Sequence, residues 1–415
     1  MDEKKSDVIF IPWRDINNIR KEGFRVREGN IINSLNNRED VGKLLVVNRA
    51  VNFKNKLKKA KSGMEVENVY WPNQELVTKI WGSRIYRIKD DFYSIEMPAF
   101  FVNKGNNELE SLFPIQLYLS SVIKKAAKYL NIQINSRKTL LISSDLTRDY
   151  LFRYFKKYNC KKIFDTIDNL TLHKSFSNKV RKKNKERYNV IAKNTDIIIS
   201  VSKSNMELFK NNNNPKLVLE NGVSINRFMQ NKNKKQIKNK GGPIICGYVG
   251  VIESRIDFSL IKQLAIELPH IEFQFIGPIL GQQDMKNHGL SENNNLKFLG
   301  PKSYDEIPNV IAGFDVCMIP HSINSFTLSM SPLKFYEYLA ADKPIIMSNV
   351  PPASTVGNID GVYVCNDKND WVNALKDINK TNSNDYDFAN RKRILDENSW
   401  DSVVKRLIEF INSTY

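Results

Sequence analysis

The chain has 415 residues, enough for two α/β domains of ordinary size. Its 41% hydrophobic content fits a globular protein, and no apolar run approaches the roughly 18 residues of a membrane span. Cys160, Cys246, Cys317 and Cys365 form no metal-type spacing, and the four histidines form no HExxH or Cys/His cluster. A protein-bound catalytic metal is therefore not expected, and the cysteines fit buried residues in a reducing cytoplasm. No signal-peptide pattern opens the chain. The net charge of +18 is uneven: Lys124 to Lys193 holds 19 Lys and Arg against five acids, or +14. Such a field attracts anionic head groups, lipid-linked phosphates or nucleic acid. Aromatic residues are not interleaved with the basic ones and no nucleic-acid motif is present, so a membrane surface is the better partner.

Short apolar runs alternate with amphipathic stretches, the pattern of a parallel sheet covered by helices. Val8 to Pro12 reads as the first strand and Leu44 to Val47 as the second, with Phe92 to Phe101 extended. Pro114 to Leu130 is an amphipathic helix, Thr139 to Ser143 a strand, Tyr150 to Tyr158 a helix and Lys162 to Asp165 a strand. Asn178 to Lys193 is a strongly basic helix. Asp196 to Ser202 is a strand, Asn205 to Lys210 a helix, and Lys216 to Leu219 a strand that ends in the tight turn Asn221-Gly222.

Residues 229–243 are polar, charged and Gly-terminated, and read as a linker between a domain at 1–228 and another at 244–397. The second series runs as strand Ile244 to Gly250, helix Phe258 to Glu267, strands Glu272 to Gly277 and Leu296 to Pro301, helix Asp305 to Ala312 and strand Asp315 to Pro320. Gly361 to Cys365 is a further strand, with a helix near Trp371. Residues 398–415 form a terminal amphipathic helix expected to cross back to the first domain. Gly250, Gly277 and Gly300 stand at strand ends, where a missing side chain lets a ligand approach backbone N–H groups. Gly250-Val-Ile-Glu-Ser-Arg255 would enter a helix, with Gly250 beside a diphosphate and Arg255 neutralising it. No GxGxxG fingerprint is present.

Ser331 to Ile346 carries the most chemistry. Ser331 suits an N-cap, Pro332 the first helical position, and Leu333 to Ala341 a helix ended by Asp342 and Pro344 before the strand at Ile345. Lys334 lies in the first turn, against the helix dipole, where a cation is unfavourable unless an anion joins it. Glu337 shares its face. The pair is either a surface ion pair or a site for a nucleoside diphosphate, with Lys334 on phosphate and Glu337 on ribose hydroxyls. The apolar surroundings (Leu333, Phe335, Tyr336, Leu339) favour the ligand site, because helix N-termini in open α/β sheets point at the crevice beyond the strand ends.

These pieces together, with Gly247-Tyr-Val-Gly250, Phe275-Ile-Gly-Pro278, Leu296 to Pro308 and Phe314 to Pro320, resemble the donor domain of bacterial GT-B glycosyltransferases. The group is the broad family-4-like one (glycosyl transferases group 1) that builds cell-surface polysaccharides. Thr195 to Ser202 and Glu220 to Phe228 resemble the segments that close the N-terminal domain. The resemblance covers roughly residues 160–410 and implies two Rossmann-like doubly wound domains facing across a cleft, with a UDP- or GDP-type sugar donor on the second. Glu337 matches the ribose-contacting glutamate, and Lys334 would neutralise the diphosphate without a metal. Pro278, Lys302 and Tyr304 would lie near the base, and His321 to Ser329 would line the sugar pocket, beside Ser331 and Leu333. Ser329 replaces a glutamate common in the family, and Asp342 a glycine.

In the first half, Asp165-Thr-Ile-Asp168 follows a strand and should emerge at the sheet's carboxyl edge. Asp168, then Asp165, are the candidate bases for an inverting transfer, unless they are helix caps; His173 is a weaker candidate. Arg14, Arg25 and Arg27 follow the first strand and would grip an anionic acceptor such as a lipid diphosphate, or else are surface cations. The function implied is transfer from a nucleotide sugar to a glycan or lipid-linked glycan at the inner membrane face. A catalytically silent GT-B subunit and a sugar-nucleotide epimerase are the alternatives, separable by transfer assays. A DNA-modifying enzyme is more distant and would require salt-sensitive DNA binding.

Overall fold

The computed structural model describes residues 5–49, 74–98, 113–173, 176–229, 242–352, 359–380 and 388–414. The chain forms two α/β units. The first takes Met1–Ser200, Met206–Val218 and Ile408–Tyr415, and the second Val201–Asn205 and Leu219–Leu407. Of the expected linker, residues 230–241 lie outside the described residues. The terminal helix Trp400–Ser413 begins in the second unit, and its last turns belong to the first. There Lys161 Nζ donates to the Ile411 carbonyl at 2.7 Å.

The first unit holds one nine-stranded sheet. Its strands are β1 (Ser6–Ile11), β2 (Val41–Val47), β3 (Glu75–Ile80), β4 (Ser83–Lys89), β5 (Phe92–Glu96), β6 (Thr139–Ser143), β7 (Lys161–Thr166), β8 (Ile197–Ser200) and β9 (Lys216–Val218), in the order β3-β4-β5-β2-β1-β6-β7-β8-β9. From β5 to β9 the pairing is parallel, with Ile9 opposite Leu45 on one side and Leu141 on the other. Val8 to Ile11 are wholly buried, as befits a central strand covered on both faces. Helix Phe113–Tyr129 covers one face with Leu119, Val122 and Ile123. Phe152, Tyr188 and Ile191 pack on Phe164 and Ile198 in a second cluster.

The antiparallel hairpin β3–β4 was not expected from the sequence. Its two-residue turn, Trp81-Gly82, has φ of 47° and 83°, the doubly left-handed geometry that hairpin twist favours. Asn-Gly is the usual sequence there. A tryptophan in that conformation costs roughly 1 kcal/mol.

The second unit holds a six-stranded parallel sheet of β10 (Ile244–Val249), β11 (Ile271–Ile276), β12 (Leu296–Phe298), β13 (Val316–Ile319), β14 (Ile345–Ser348) and β15 (Val362–Cys365). The order is β12-β11-β10-β13-β14-β15, so the winding reverses between β10 and β13. Ligands of such sheets bind beyond the carboxyl ends of the strands at that reversal. Trp371, Ile261 and Leu264 cover one face, and Phe335, Tyr338 and Leu339 the other. The helix Phe258–Glu267 has its expected bounds, capped by Asp257, whose carboxylate accepts from the Leu260 N–H at 2.9 Å. Gly250 to Arg255 is thus a loop before that helix, not its entry.

Candidate functional site

Three segments meet at the winding reversal of the second unit: the loop after β10, the loop after β13, and helix Leu333–Ala340, which precedes β14. Phe335, Tyr336, Tyr338, Leu339 and Ala340 are buried, which leaves Leu333, Lys334 and Glu337 as the half-buried stripe of that helix. The spacing of three and four residues puts them on one face. Tyr338 fixes the helix to the sheet by accepting the Val249 N–H at 2.8 Å.

Ser331 is not the N-cap. That position is Pro332, and no side chain caps the helix. The Ser331 hydroxyl instead accepts the Asn221 N–H at 3.3 Å, while Asn221 Nδ2 donates to the Ser331 carbonyl at 2.5 Å. Tyr336 donates to Glu220 at 2.7 Å. The turn Glu220-Asn221-Gly222 therefore holds the loop that enters the helix, and the first-turn amides carry no side-chain cap. Amides in that state attract anions.

Lys334 Nζ lies 4.9 Å from the centroid of the Tyr248 ring. The surrounding protein, with Arg255 nearby, pushes its pKa down to about 7, against the pull of Glu337 and Glu253. Gly250 has φ of 148°, and a Cβ there would stand 3.1 Å from the Tyr248 hydroxyl and 3.3 Å from Lys334 Nζ. Arg255 pairs with Glu253, a residue the sequence reading did not single out, and its Nε is buried without a partner among the described residues. His321 is 1% exposed, and neither ring nitrogen has a partner among the described residues. Burial, then the cations Lys334 and Arg255, hold its pKa well below the usual histidine range. A neutral imidazole with both nitrogens unpartnered and the buried Nε of Arg255 thus lie together beside Lys334, a costly arrangement without a ligand.

Tyr304 donates to Glu337 Oε1 at 3.2 Å, so these two expected contacts are joined. Arg227 stacks on the Tyr304 ring at 4.5 Å. Pro278 is exposed, and its carbonyl accepts the Ile252 N–H at 2.9 Å. Lys302 is exposed, 3.6 Å from Glu306. Ser329 is buried, its hydroxyl donating to the Phe326 carbonyl at 2.7 Å and its carbonyl accepting from Ser202 at 2.8 Å.

The carboxyl edge of the first sheet gathers a buried charge cluster where its winding reverses, between β1 and β6. Arg27 and Asp165 form a two-pronged pair there, with Nε–Oδ2 at 2.9 Å and Nη2–Oδ1 at 3.1 Å. Their side chains are only 2% and 4% exposed. This corrects two expectations: Arg27 is not a surface grip for an anion, and the Asp165 carboxylate is engaged by a buried guanidinium instead of standing open at the sheet edge. Arg14 and Arg25 both pair with Glu22, at 2.8 Å. Asp168 is half-buried, and its carbonyl accepts the Tyr188 hydroxyl at 2.8 Å. His173 stacks on Phe176, with ring centroids 5.0 Å apart.

Glu28, which no motif or spacing marks, accepts from the Trp13 and Arg14 amides and from Ser144. Burial pushes its pKa up to about 7, Asp165 adds to the rise, and the three donors oppose it. Beside it Asp145 pairs with Arg148 at 3.3 Å and Arg49 at 3.5 Å. Burial alone would raise the Asp145 carboxyl, but the two guanidiniums and Thr147 hold it below its usual range.

Comparison with known proteins fits this geometry. Residues 245–380 match the family model of glycosyl transferases group 1. TuaH of Bacillus subtilis (strain 168), named as a teichuronic acid biosynthesis glycosyltransferase, is 26% identical over 201 residues. That match takes 46% of this chain and 49% of TuaH, so it spans about half the relative's length. Sucrose-phosphate synthase of Thermosynechococcus elongatus superposes over 99% of both chains with a TM-score of 0.68 at 13% identity. Anabaena HepE, in complex with UDP and glucose, has a TM-score of 0.63 at 15% identity and covers 98% of this chain and all of its own. The chain has the GT-B fold, and residues 245–380 within its second unit are similar to glycosyl transferases group 1.

Proposed function

We propose that this chain transfers a sugar from a nucleoside-diphosphate sugar, of UDP or GDP type, to a carbohydrate acceptor carried on a lipid, in cell-surface polysaccharide biosynthesis. The observation that carries the reading is the convergence of Lys334, the uncapped helix start at Leu333 and the unpartnered His321 around Gly250. Positive charge and open donors lie where a diphosphate would sit, and bare glycine backbone leaves room for it. In this reading Lys334 and Arg255 neutralise the charge that grows on the leaving diphosphate, a role metals fill elsewhere, and no metal is needed. Glu337 takes the ribose hydroxyls. Pro278, Lys302 and Tyr304 border the base, and Ser329 and His321 the sugar. Asp168 takes the acceptor's proton, with Arg14 and Arg25 near the acceptor's anionic end. The relatives named for UDP binding and for teichuronic acid biosynthesis support donor and pathway class alike.

The chain would work from the cytoplasm at the inner face of the membrane. Among the described residues no helix is long and apolar enough to cross a bilayer. The test is a thermal-shift panel of UDP-, GDP-, ADP-, CMP- and dTDP-sugars. One class should raise the Tm of the native chain and not that of Lys334→Ala. If none stabilises the chain at millimolar concentration, the donor site is wrong.

A further inference from the structure

In the first unit, the large apolar side chains exposed among the described residues are Leu76, Trp81, Leu117, Tyr129 and Val218. Four of the five belong to hairpin β3–β4 and helix Phe113–Tyr129. Trp81 forms the hairpin tip with more than half its surface exposed, 55%, in a backbone conformation that disfavours it. Strain of this kind, kept on a surface, asks for a use. The hairpin is tied to the helix: Lys125 Nζ lies 3.8 Å from the Trp81 ring centroid, and Tyr118 donates to the Trp81 carbonyl. Along the same helix Leu117, Lys124, Lys125, Lys128 and Tyr129 are exposed, and its sequence contains no Asp or Glu. Lys79 extends the basic border toward the hairpin tip, whereas Glu75, the single carboxylate of β3–β4, faces Arg87 at 3.6 Å at the other end of the strands, near Lys89 and Asp90.

An exposed indole set among lysines matches an anionic bilayer, where aromatic rings occupy the head-group level and ammonium groups meet lipid phosphates. The basic helix Asn178–Ala192 lacks this combination, because it exposes lysines but no large apolar side chain. We propose that the Trp81 hairpin tip and the lysine face of helix Phe113–Tyr129 dock this chain onto an anionic lipid bilayer. The inference rests on the reading above only in taking a membrane as partner, and it narrows the contact expected over the basic 124–193 region to the lysines at its start, joined to the Trp81 hairpin.

The experiment measures co-sedimentation of the full chain with vesicles of phosphatidylcholine, with or without about 30% phosphatidylglycerol, and the quenching of tryptophan by brominated lipid. Trp81→Asn is the informative variant, since asparagine accepts the left-handed turn and the hairpin is retained. The native chain should bind the anionic vesicles with quenched fluorescence. Trp81→Asn should bind at least about tenfold more weakly, with an unchanged or higher Tm, and Lys124→Gln/Lys125→Gln/Lys128→Gln should follow it. Equal binding by native chain and Trp81→Asn, or no binding by the native chain, overturns the proposal. So does a fall in solution mass on Trp81→Asn, which would make the face a contact between two copies. Donor binding in the thermal-shift panel does not depend on vesicles, so the two readings fail separately.

Discussion

Lys334 Nζ stands 3.3 Å from the point where a Cβ on Gly250 would be built, with the Tyr248 hydroxyl 3.1 Å from the same point. Gly250→Ala must therefore strain a φ of 148° and displace the ammonium group. The expected outcome is a loss of about 1–3 kcal/mol of stability by denaturant titration. Nucleotide affinity should fall at least tenfold in the same protein.

Protonation of Lys334 should follow the ligand. With its pKa near 7, the free protein carries little charge there at pH 8, whereas the unfolded chain is charged up to about 10.5. The unfolded chain thus binds the extra proton between these values, so this residue's contribution to stability rises with pH across that window and is absent below it. A bound diphosphate favours the ammonium form. Titration calorimetry at pH 8 in buffers of different ionisation enthalpy should show uptake of up to about one proton per nucleotide bound. Lys334→Gln should abolish it.

The two aspartates of the Asp165–Asp168 pair should separate cleanly. Asp165→Asn takes the two-pronged carboxylate from the buried Arg27 guanidinium and is expected to cost about 3–5 kcal/mol, read as a fall in denaturation midpoint. Asp168→Asn should leave the midpoint within about 1 kcal/mol and lower transfer by roughly 10²–10⁴. A base at Asp168 implies inversion, which the anomeric proton coupling of the product reports.

Helix Leu333–Ala340 ends in two bonds, from the Asp342 N–H to the Leu339 carbonyl at 3.0 Å and from the Lys343 N–H to the Tyr338 carbonyl at 3.2 Å. This is the Schellman arrangement, whose left-handed position usually holds glycine. Here it holds Asp342 at φ 61°. Arg391, 2% exposed, approaches Asp342 at 3.5 Å and donates to the carbonyls of Asp360 at 2.8 Å and Lys343 at 3.1 Å. Asp342→Gly should change stability by less than about 1 kcal/mol, since relief of backbone strain offsets a long ion pair. Arg391→Met should cost about 2–4 kcal/mol, because it removes two hydrogen bonds from a buried guanidinium together with its approach to Asp342. Urea midpoints of the two variants compare them directly.

Much of the second unit was legible because its signals are local. Strands ending in Gly250 and Gly277, the helix Phe258–Glu267 and the Lys334–Glu337 spacing each rest on signals within a few residues. The first unit's centre was not, since its interactions are tertiary. Arg27 meets Asp165 across 138 positions, and Glu28 meets Ser144 across 116. No pattern in either segment announces the partner. Ser331 failed as a cap for the same reason, Asn221 having claimed its hydroxyl. Hairpin β3–β4 escaped notice because Trp-Gly lacks the usual turn signature and its edge strand is half exposed.

The loops after β10 and β11 interlock more tightly than any ligand argument requires. A Cβ on Gly277 would fall 2.0 Å from the Gly250 carbonyl oxygen, whereas one on Gly300 would meet nothing within 4 Å. The proposed donor pocket is therefore unevenly malleable. Mutational libraries aimed at this site have freedom at the exposed Pro278 and Lys302, whereas Gly300 is restricted by its φ of 73° rather than by crowding, and a side chain at Gly277 demands that the loop at Gly250 move.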